Sequence, residues 1–330
     1  MDGPLFGRMM KHASSYHVPI MVDEVLHALN PSGRKGGRFV DGTLGGGGHS
    51  EAILTHIPNS ELLAIDRDQD AISFASKRLE VFNERLTIVR ANYQDMATLL
   101  PEKGFSPVDG ILVDAGVSSH QLDDASRGFS FTNAGPLDMR MGEDAISLEE
   151  FLVNTDLDAL KKVLKDGEVE RAFYTARAII NAFQKNEIKT TTDLAEVVFS
   201  VNRRPKKIHP ATLVFQALRI EINSELSGLR QCVESAPNLL KVGGRFAVIT
   251  FHSLEDRIVK RTFAKLSKDQ TPKGIPVQRS ELKIWGERIT RKPITANQDE
   301  IDNNPRSRSA KLRVLERLME EPCAHFFENS

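Results

Sequence analysis

Four short apolar runs punctuate the first third of the chain, at residues 38–41, 62–66, 86–89 and 110–114, and three of them close on an aspartate. Helical patterns lie between them. In 70–82, for example, Ile72, Ala75, Leu79 and Phe82 recur on one face. Such alternation predicts parallel strands joined by crossover helices. Past Ser119 the period changes, and 147–165, 170–184, 192–201 and 212–222 read as helices with no strand between them. The sheet pattern returns with a helix at 225–240, a stop at Gly243-Gly244 and a strand at 245–251. The apolar-basic segment 310–318 fits either a last strand or a helix. The expected fold is α/β, a discontinuous domain (1–118 and 218–330) interrupted by an all-helical insertion (119–217).

The junction after the first strand carries the chemistry. Phe39-Val40-Asp41 leads into Gly42, Thr43, Leu44 and the run Gly45 to Gly48, then His49, Ser50 and a helical stretch at 51–57. Glycine is needed where a backbone takes positive φ or meets a ligand with no Cβ in the way. A glycine turn between strand and helix is how doubly wound folds build the floor of a nucleotide pocket.

Composition narrows the class without naming it. The 330 residues leave room for two domains, and the formal net charge is −1. The two cysteines, Cys232 and Cys323, stand far apart, which fits a reducing compartment and supports neither a disulfide framework nor a metal site. No apolar run is long enough to span a bilayer. The first seventeen residues hold Arg8, Lys11 and one acid, Asp2, so a bacterial cytoplasmic location is expected, with an organellar presequence as the alternative. Positive charge is clustered, in Arg203-Arg204-Pro205-Lys206-Lys207-Ile208-His209 and from Arg257 to Arg313, ending in Arg306-Ser307-Arg308-Ser309-Ala310-Lys311. Such patches suit a phosphate backbone, and a solvated surface is the plainer reading.

Two acids bear on which nucleotide is held. A pyrophosphate beside Asp41 would be repelled, whereas a ligand carrying an ammonium would be held. S-adenosylmethionine has an amino-acid tail and a sulfonium but no phosphate. Asp66, about twenty residues after the glycines, stands where a carboxylate accepts the hydroxyls of an adenosine ribose. NAD would use the same acid, so Asp66 indicates adenosine and leaves the cofactor open. Asp114 ends the fourth strand, where ligands of open α/β sheets lie. It could contact the cofactor, sit near the acceptor, or bond its own loop amides.

A longer set of motifs follows: Asp41-Gly42-Thr43 through Gly47-Gly48-His49-Ser50, Leu63-Ala64-Ile65-Asp66-Arg67-Asp68, Gly116-Val117-Ser118-Ser119 with Gln121-Leu122-Asp123, and Arg127-Gly128-Phe129-Ser130-Phe131. Further along come Gly135-Pro136-Leu137-Asp138-Met139-Arg140-Met141, His209-Pro210-Ala211-Thr212, Phe251-His252-Ser253-Leu254-Glu255-Asp256 and Asn304-Pro305-Arg306-Ser307-Arg308-Ser309. With these in order, the chain resembles the bacterial 16S ribosomal RNA cytosine-N4 methyltransferases, which have mitochondrial relatives. The resemblance implies a class I S-adenosylmethionine-dependent fold and a decoding-centre cytosine, position 1402, as acceptor on the small-subunit RNA. It implies cofactor contacts at Gly47, Gly48, His49, Asp66, Tyr93, Asp114 and Gln121. Tyr93 stands where many relatives carry Phe, and either ring can pack on adenine. Val169 replaces a glutamate of the family pattern.

The acceptor's chemistry sets further expectations. A cytosine amine is a poor nucleophile, and hydrogen-bond acceptors help it pyramidalise in near-attack geometry. Asp114 is the candidate orienting acceptor. Phe129 or Phe131 could receive the unstacked base, with packing of the insert as the other reading. His49 could cap its helix with its ring and bind through its amide. Ser253 is the expected N-cap, with Asp256 at N3, while His252 could face the acceptor. Asp138 and Arg140 pair with each other or with backbone, and Arg203, Arg204, Lys206 and Lys207 would touch phosphates. A homodimer is left open. The rival readings are a non-catalytic ribosome-assembly factor and a nicotinamide-dependent oxidoreductase.

Overall fold

The computed structural model describes residues 19–202, 209–269 and 284–323. Strands β1 (Gly37–Asp41), β2 (Ser60–Asp66), β3 (Leu86–Arg90), β4 (Val108–Asp114), β5 (Leu240–Thr250), β6 (Gly286–Arg288) and β7 (Lys311–Arg317) form one sheet in the order β3-β2-β1-β4-β5-β7-β6. The first five strands are parallel, while β7 runs antiparallel to both β5 and β6. This is the class I methyltransferase sheet expected from the sequence. The ambiguous segment 310–318 is resolved as a strand, β7. Strands β2 and β4 read as continuous apolar runs because a parallel sheet is covered on both faces.

Helices α1 (Val22–Leu29), α2 (Gly48–His56), α3 (Gln69–Arg78) and α4 (Met96–Glu102) belong to the sheet unit. On one face, Val25, Leu29, Ile53, Leu54 and Ile57 pack with Phe39, Leu62, Leu112 and Ile249. A second cluster, Leu44, Ala64, Ala75 and Leu79, seats α3 on the sheet. Gly243-Gly244 does not mark the break between helix and strand, since the preceding helix, Glu225–Ser235, has already ended. β5 runs through both glycines, with Gly243 at φ +78° and an irregular register against β4 between Val108 and Gly110.

Helices α5 (Ser119–Asp123), α6 (Leu148–Asn154), α7 (Leu157–Asp166), α8 (Ala172–Gln184), α9 (Thr191–Val201) and α10 (Pro210–Ile222) make a second unit with its own core. The segment predicted as one helix over 147–165 is two. Thr155 is extended, and Asp156 caps α7 by accepting from the Ala159 N–H. Helix α11 (Glu225–Ser235) follows, and the sheet unit finishes with α12 (Ser253–Leu266) and α13 (Gln298–Asn303).

The compact units are 1–116 with 229–330, and 117–228. The helical unit therefore extends eleven residues past the expected boundary at 217. Leu218 and Ile222 are in its core. Arg219 holds Glu225 through two hydrogen bonds of 2.8 and 2.9 Å, and Asn223 bonds Met139 O and Met141 N.

Candidate active site

In an open doubly wound sheet the ligand crevice lies beyond the carboxyl ends of the strands, where the order reverses. Here that point is between β1 and β4, ending in Asp41 and Asp114. The glycine turn after β1 is wired to its neighbours. Leu44 N–H donates to Ile65 O at 2.8 Å, Gly45 N–H to Asp66 Oδ2 at 2.7 Å, and Arg78 reaches Gly46 O at 3.0 Å. Gly47, at φ +78°, is the left-handed N-cap of α2, a conformation that costs an L-residue about 1–2 kcal/mol.

Asp66 accepts from Gly45 and, through Oδ1, from the Asp68 N–H at 2.9 Å. A carboxylate has about four acceptor positions, so two stay available for hydroxyls. Burial, with smaller contributions from Asp68 and Asp41, raises its pKa from 3.8 to about 6.

Asp41 does not present its oxygens to a ligand. It is fully buried, with Oδ1 accepting from Thr43 N–H at 3.1 Å and Oδ2 from Ser50 Oγ at 2.7 Å. Its influence on the crevice is through its field, and burial pushes its own pKa up. His49 also departs from expectation, since its ring does not cap α2. Nε2 sits 2.8 Å from Ile20 O, so that nitrogen carries the hydrogen and donates it. Nδ1 then faces Asp114 Oδ2 at 3.7 Å.

Asp114 is the least satisfied group of the site. Its backbone N–H donates to Thr43 Oγ1 at 2.7 Å, but Oδ1 is buried with no hydrogen-bond partner. Burial raises its pKa from 3.8 to about 6. His49 opposes this, and Asp41 and Glu255 add to it. Acidic groups therefore converge on the strand tips, an electrostatic setting that favours a cationic ligand and disfavours a pyrophosphate.

Sequence reasoning missed Glu255 and misplaced the cap of α12. His252 is the N-cap and Glu255 is N3, one residue earlier than expected. Glu255 is buried and accepts from the Phe251 and His252 N–H groups at 2.8 and 3.3 Å. His252 Nδ1 accepts from Glu255 N at 3.4 Å. The signal was a capping pattern readable in two registers, and Asp256 decides between them. It binds Arg313 of β7 through bonds of 2.6 and 3.2 Å, so it is not free to cap.

Tyr93 opens a short 3-10 turn after β3, capped by Asn92. Gln121 belongs to the helical unit, where its Oε1 accepts from Ser118 N–H at 3.0 Å in the capping box of α5. Phe129 lies in the helical core, and Phe131 packs on His209 and Phe215, each 5.0 Å between centroids, so both are packing residues in this arrangement. Asp138 and Arg140 do pair with each other, at 2.7 and 3.0 Å. Val169 is an aliphatic residue of the helical core. The basic residues Arg203, Arg204, Lys206 and Lys207, and the N-terminal segment through residue 18, lie outside the described residues.

Relatives match most of this chain's length. A protein named ribosomal RNA small subunit methyltransferase H from Syntrophus aciditrophicus is 48% identical over 315 residues, covering 92% of this chain and 98% of its own. Proteins of the same name from Citrifermentans bemidjiense and Oleidesulfovibrio alaskensis are each 45% identical, covering 92% and 93% of this chain and 99% and 97% of their own. A family model matches from residue 14 to residue 318, through the glycine turn, the helical unit and β7 alike, and the chain belongs to the MraW methylase family.

Proposed function

We propose that this chain transfers the methyl group of S-adenosylmethionine to the N4 amine of a decoding-centre cytosine, position 1402, in 16S ribosomal RNA of the small subunit. One observation carries the reading: acidic groups, Asp66 and Asp114 foremost, gather at the carboxyl ends of the parallel strands in a chain whose full-length relatives are named small-subunit ribosomal RNA methyltransferases.

The residues fit the cofactor. Asp66 keeps acceptor capacity for the two ribose hydroxyls, and Asp114 Oδ1 lacks a partner. Gly47, Gly48 and His49 open α2, whose first-turn amides have no intrahelical acceptor and suit the carboxylate of an amino-acid tail. Tyr93 offers a ring for adenine, and Gln121 an amide. S-adenosylmethionine, when bound, supplies an electrophilic methyl group on a sulfonium.

Asp114 accepts a hydrogen from the target amine and so opposes delocalisation of its lone pair into the ring. The His49 ring, anchored on Ile20 O, fixes one side of that carboxyl. Methylation leaves the amine with a proton to shed. A carboxyl titrating at about 6 is matched to hold it near neutral pH.

The test is methyl transfer from labelled S-adenosylmethionine to unmodified small subunits and to free RNA, with nucleosides resolved by mass spectrometry. N4-methylcytidine formed by the wild type and lost in Asp66→Ala is the expected result. Cofactor binding without methylation of either substrate would put the assembly-factor reading in its place.

A further inference from the structure

Helix α8 buries Thr175, Ala176, Ile179 and Ala182 and turns two adjacent aromatics outward. Phe173 is 41% exposed and Tyr174 49%. A phenyl side chain gains about 2 kcal/mol by leaving water, so neighbouring exposed rings on a helix whose other face makes the core are not explained by folding. The rings are interleaved with guanidinium groups. Arg177 lies 5.5 Å from the Phe173 centroid and 5.7 Å from that of Tyr174, and Arg171 lies 5.0 Å from Tyr174.

Charge on this stretch has one sign. From Arg171 to Lys185 there are two arginines and a lysine and no acid. The surface continues onto the end of α9, because Arg171 donates to Val201 O at 2.7 Å. There Phe199, 46% exposed, stacks on the His209 ring at 5.5 Å and 12°.

Exposed rings alternating with planar cations are what unpaired nucleotides require. Bases stack on aromatic faces, and guanidinium groups neutralise phosphates or stack in turn. A duplex keeps its bases stacked on each other and offers the rings nothing. An acidic peptide would use the arginines and leave the rings idle.

We propose that Phe173, Tyr174 and Phe199, with Arg171 and Arg177 between them, are the surface on which the helical unit holds the single-stranded RNA that carries the target nucleotide. The identity of that RNA as the acceptor strand rests on the function proposed above.

The full chain would be tested by fluorescence anisotropy with a labelled, unmodified single-stranded RNA carrying the target cytosine, and with the same strand annealed to its complement. The variants are Phe173→Leu with Tyr174→Leu, which keep apolar bulk and remove the rings, and separately Phe199→Leu and Arg177→Lys. The double variant is expected to bind the single strand at least tenfold more weakly, since each lost stack weakens binding by roughly that factor. Phe199→Leu and Arg177→Lys are expected to weaken it severalfold. Melting temperature and S-adenosylhomocysteine affinity should not change, and in methyl transfer KM for RNA should rise with kcat kept.

Wild-type affinity in all of these variants would overturn the proposal, as would equal wild-type affinity for duplex and single strand. A shift in oligomeric mass with RNA affinity unchanged would reassign the face to self-association. Wild type that binds the single strand through these rings and yet forms no N4-methylcytidine would sink the proposed activity and leave the surface standing.

Discussion

Replacing Asp114 by asparagine should make the ligand-free protein more stable and less active, and the stability gain should depend on pH. The carboxyl is buried, with Oδ1 unpartnered and Oδ2 facing His49 Nδ1 at 3.7 Å. His49, whose Nε2 donates to Ile20 O, lowers the cost of the charge but does not remove it. Asp41 and Glu255 add like charge. An amide in the same place carries no charge and so escapes the cost of burying one. The pKa rise from 3.8 to about 6 sets an upper bound of about 3 kcal/mol on the cost of holding Asp114 ionised. A raised carboxyl favours the folded state below 3.8 and loses that advantage as pH climbs through about 6. Urea denaturation should therefore find wild type and Asp114→Asn alike near pH 4, with the variant ahead by about 1–3 kcal/mol at pH 8. Methyl transfer should fall by roughly a hundredfold, the usual share of a positioned proton acceptor. A variant less stable than wild type at pH 8, or a difference independent of pH, would refute the picture of a strained, unpaired carboxyl.

Three other perturbations test separate parts of the arrangement. Asp66→Ala removes the acceptor for Gly45, Asp68 and the ribose hydroxyls, and calorimetric affinity for S-adenosylhomocysteine should drop at least about a hundredfold, from two charge-assisted hydrogen bonds. Ser50→Ala leaves the fully buried Oδ2 of Asp41 without its donor, and chemical denaturation should register a loss of about 1–3 kcal/mol; an unchanged midpoint would mean that Asp41 is neutral or finds water. Asp256→Ala strands Arg313, whose side chain is 7% exposed, and about 3–5 kcal/mol of destabilisation is expected, with Arg313→Met in the same background restoring much of it.

How legible the chain was depends on the range of the interactions. Strand and helix identities in the first third follow from local periodicity, and the glycine turn with Asp66 follows from spacing along the chain, because a strand-turn-helix unit is built from neighbours in sequence. The same locality put the pairing of Asp138 with Arg140, two residues apart, among the two readings the sequence offered. Tertiary packing decided the rest. Asp41 is closed off by Ser50, nine residues on, and the His49 ring is aimed by Ile20, twenty-nine residues back. Asp256 is drawn out of a plausible cap by Arg313, fifty-seven residues away, which leaves His252 as the N-cap of α12 and brings Glu255 into the buried acidic group. The helical unit ends at Gly228 because Asn223 bonds residues more than eighty positions earlier. Residue types and short spacings thus determined the architecture, the place of Asp66 at the end of β2 beside the glycine turn, and the family. Which carboxylates stay open to a ligand, and which are locked by a donor, depends on contacts between distant segments that no local pattern encodes, because the energy of a buried charge is set by whatever the fold places against it.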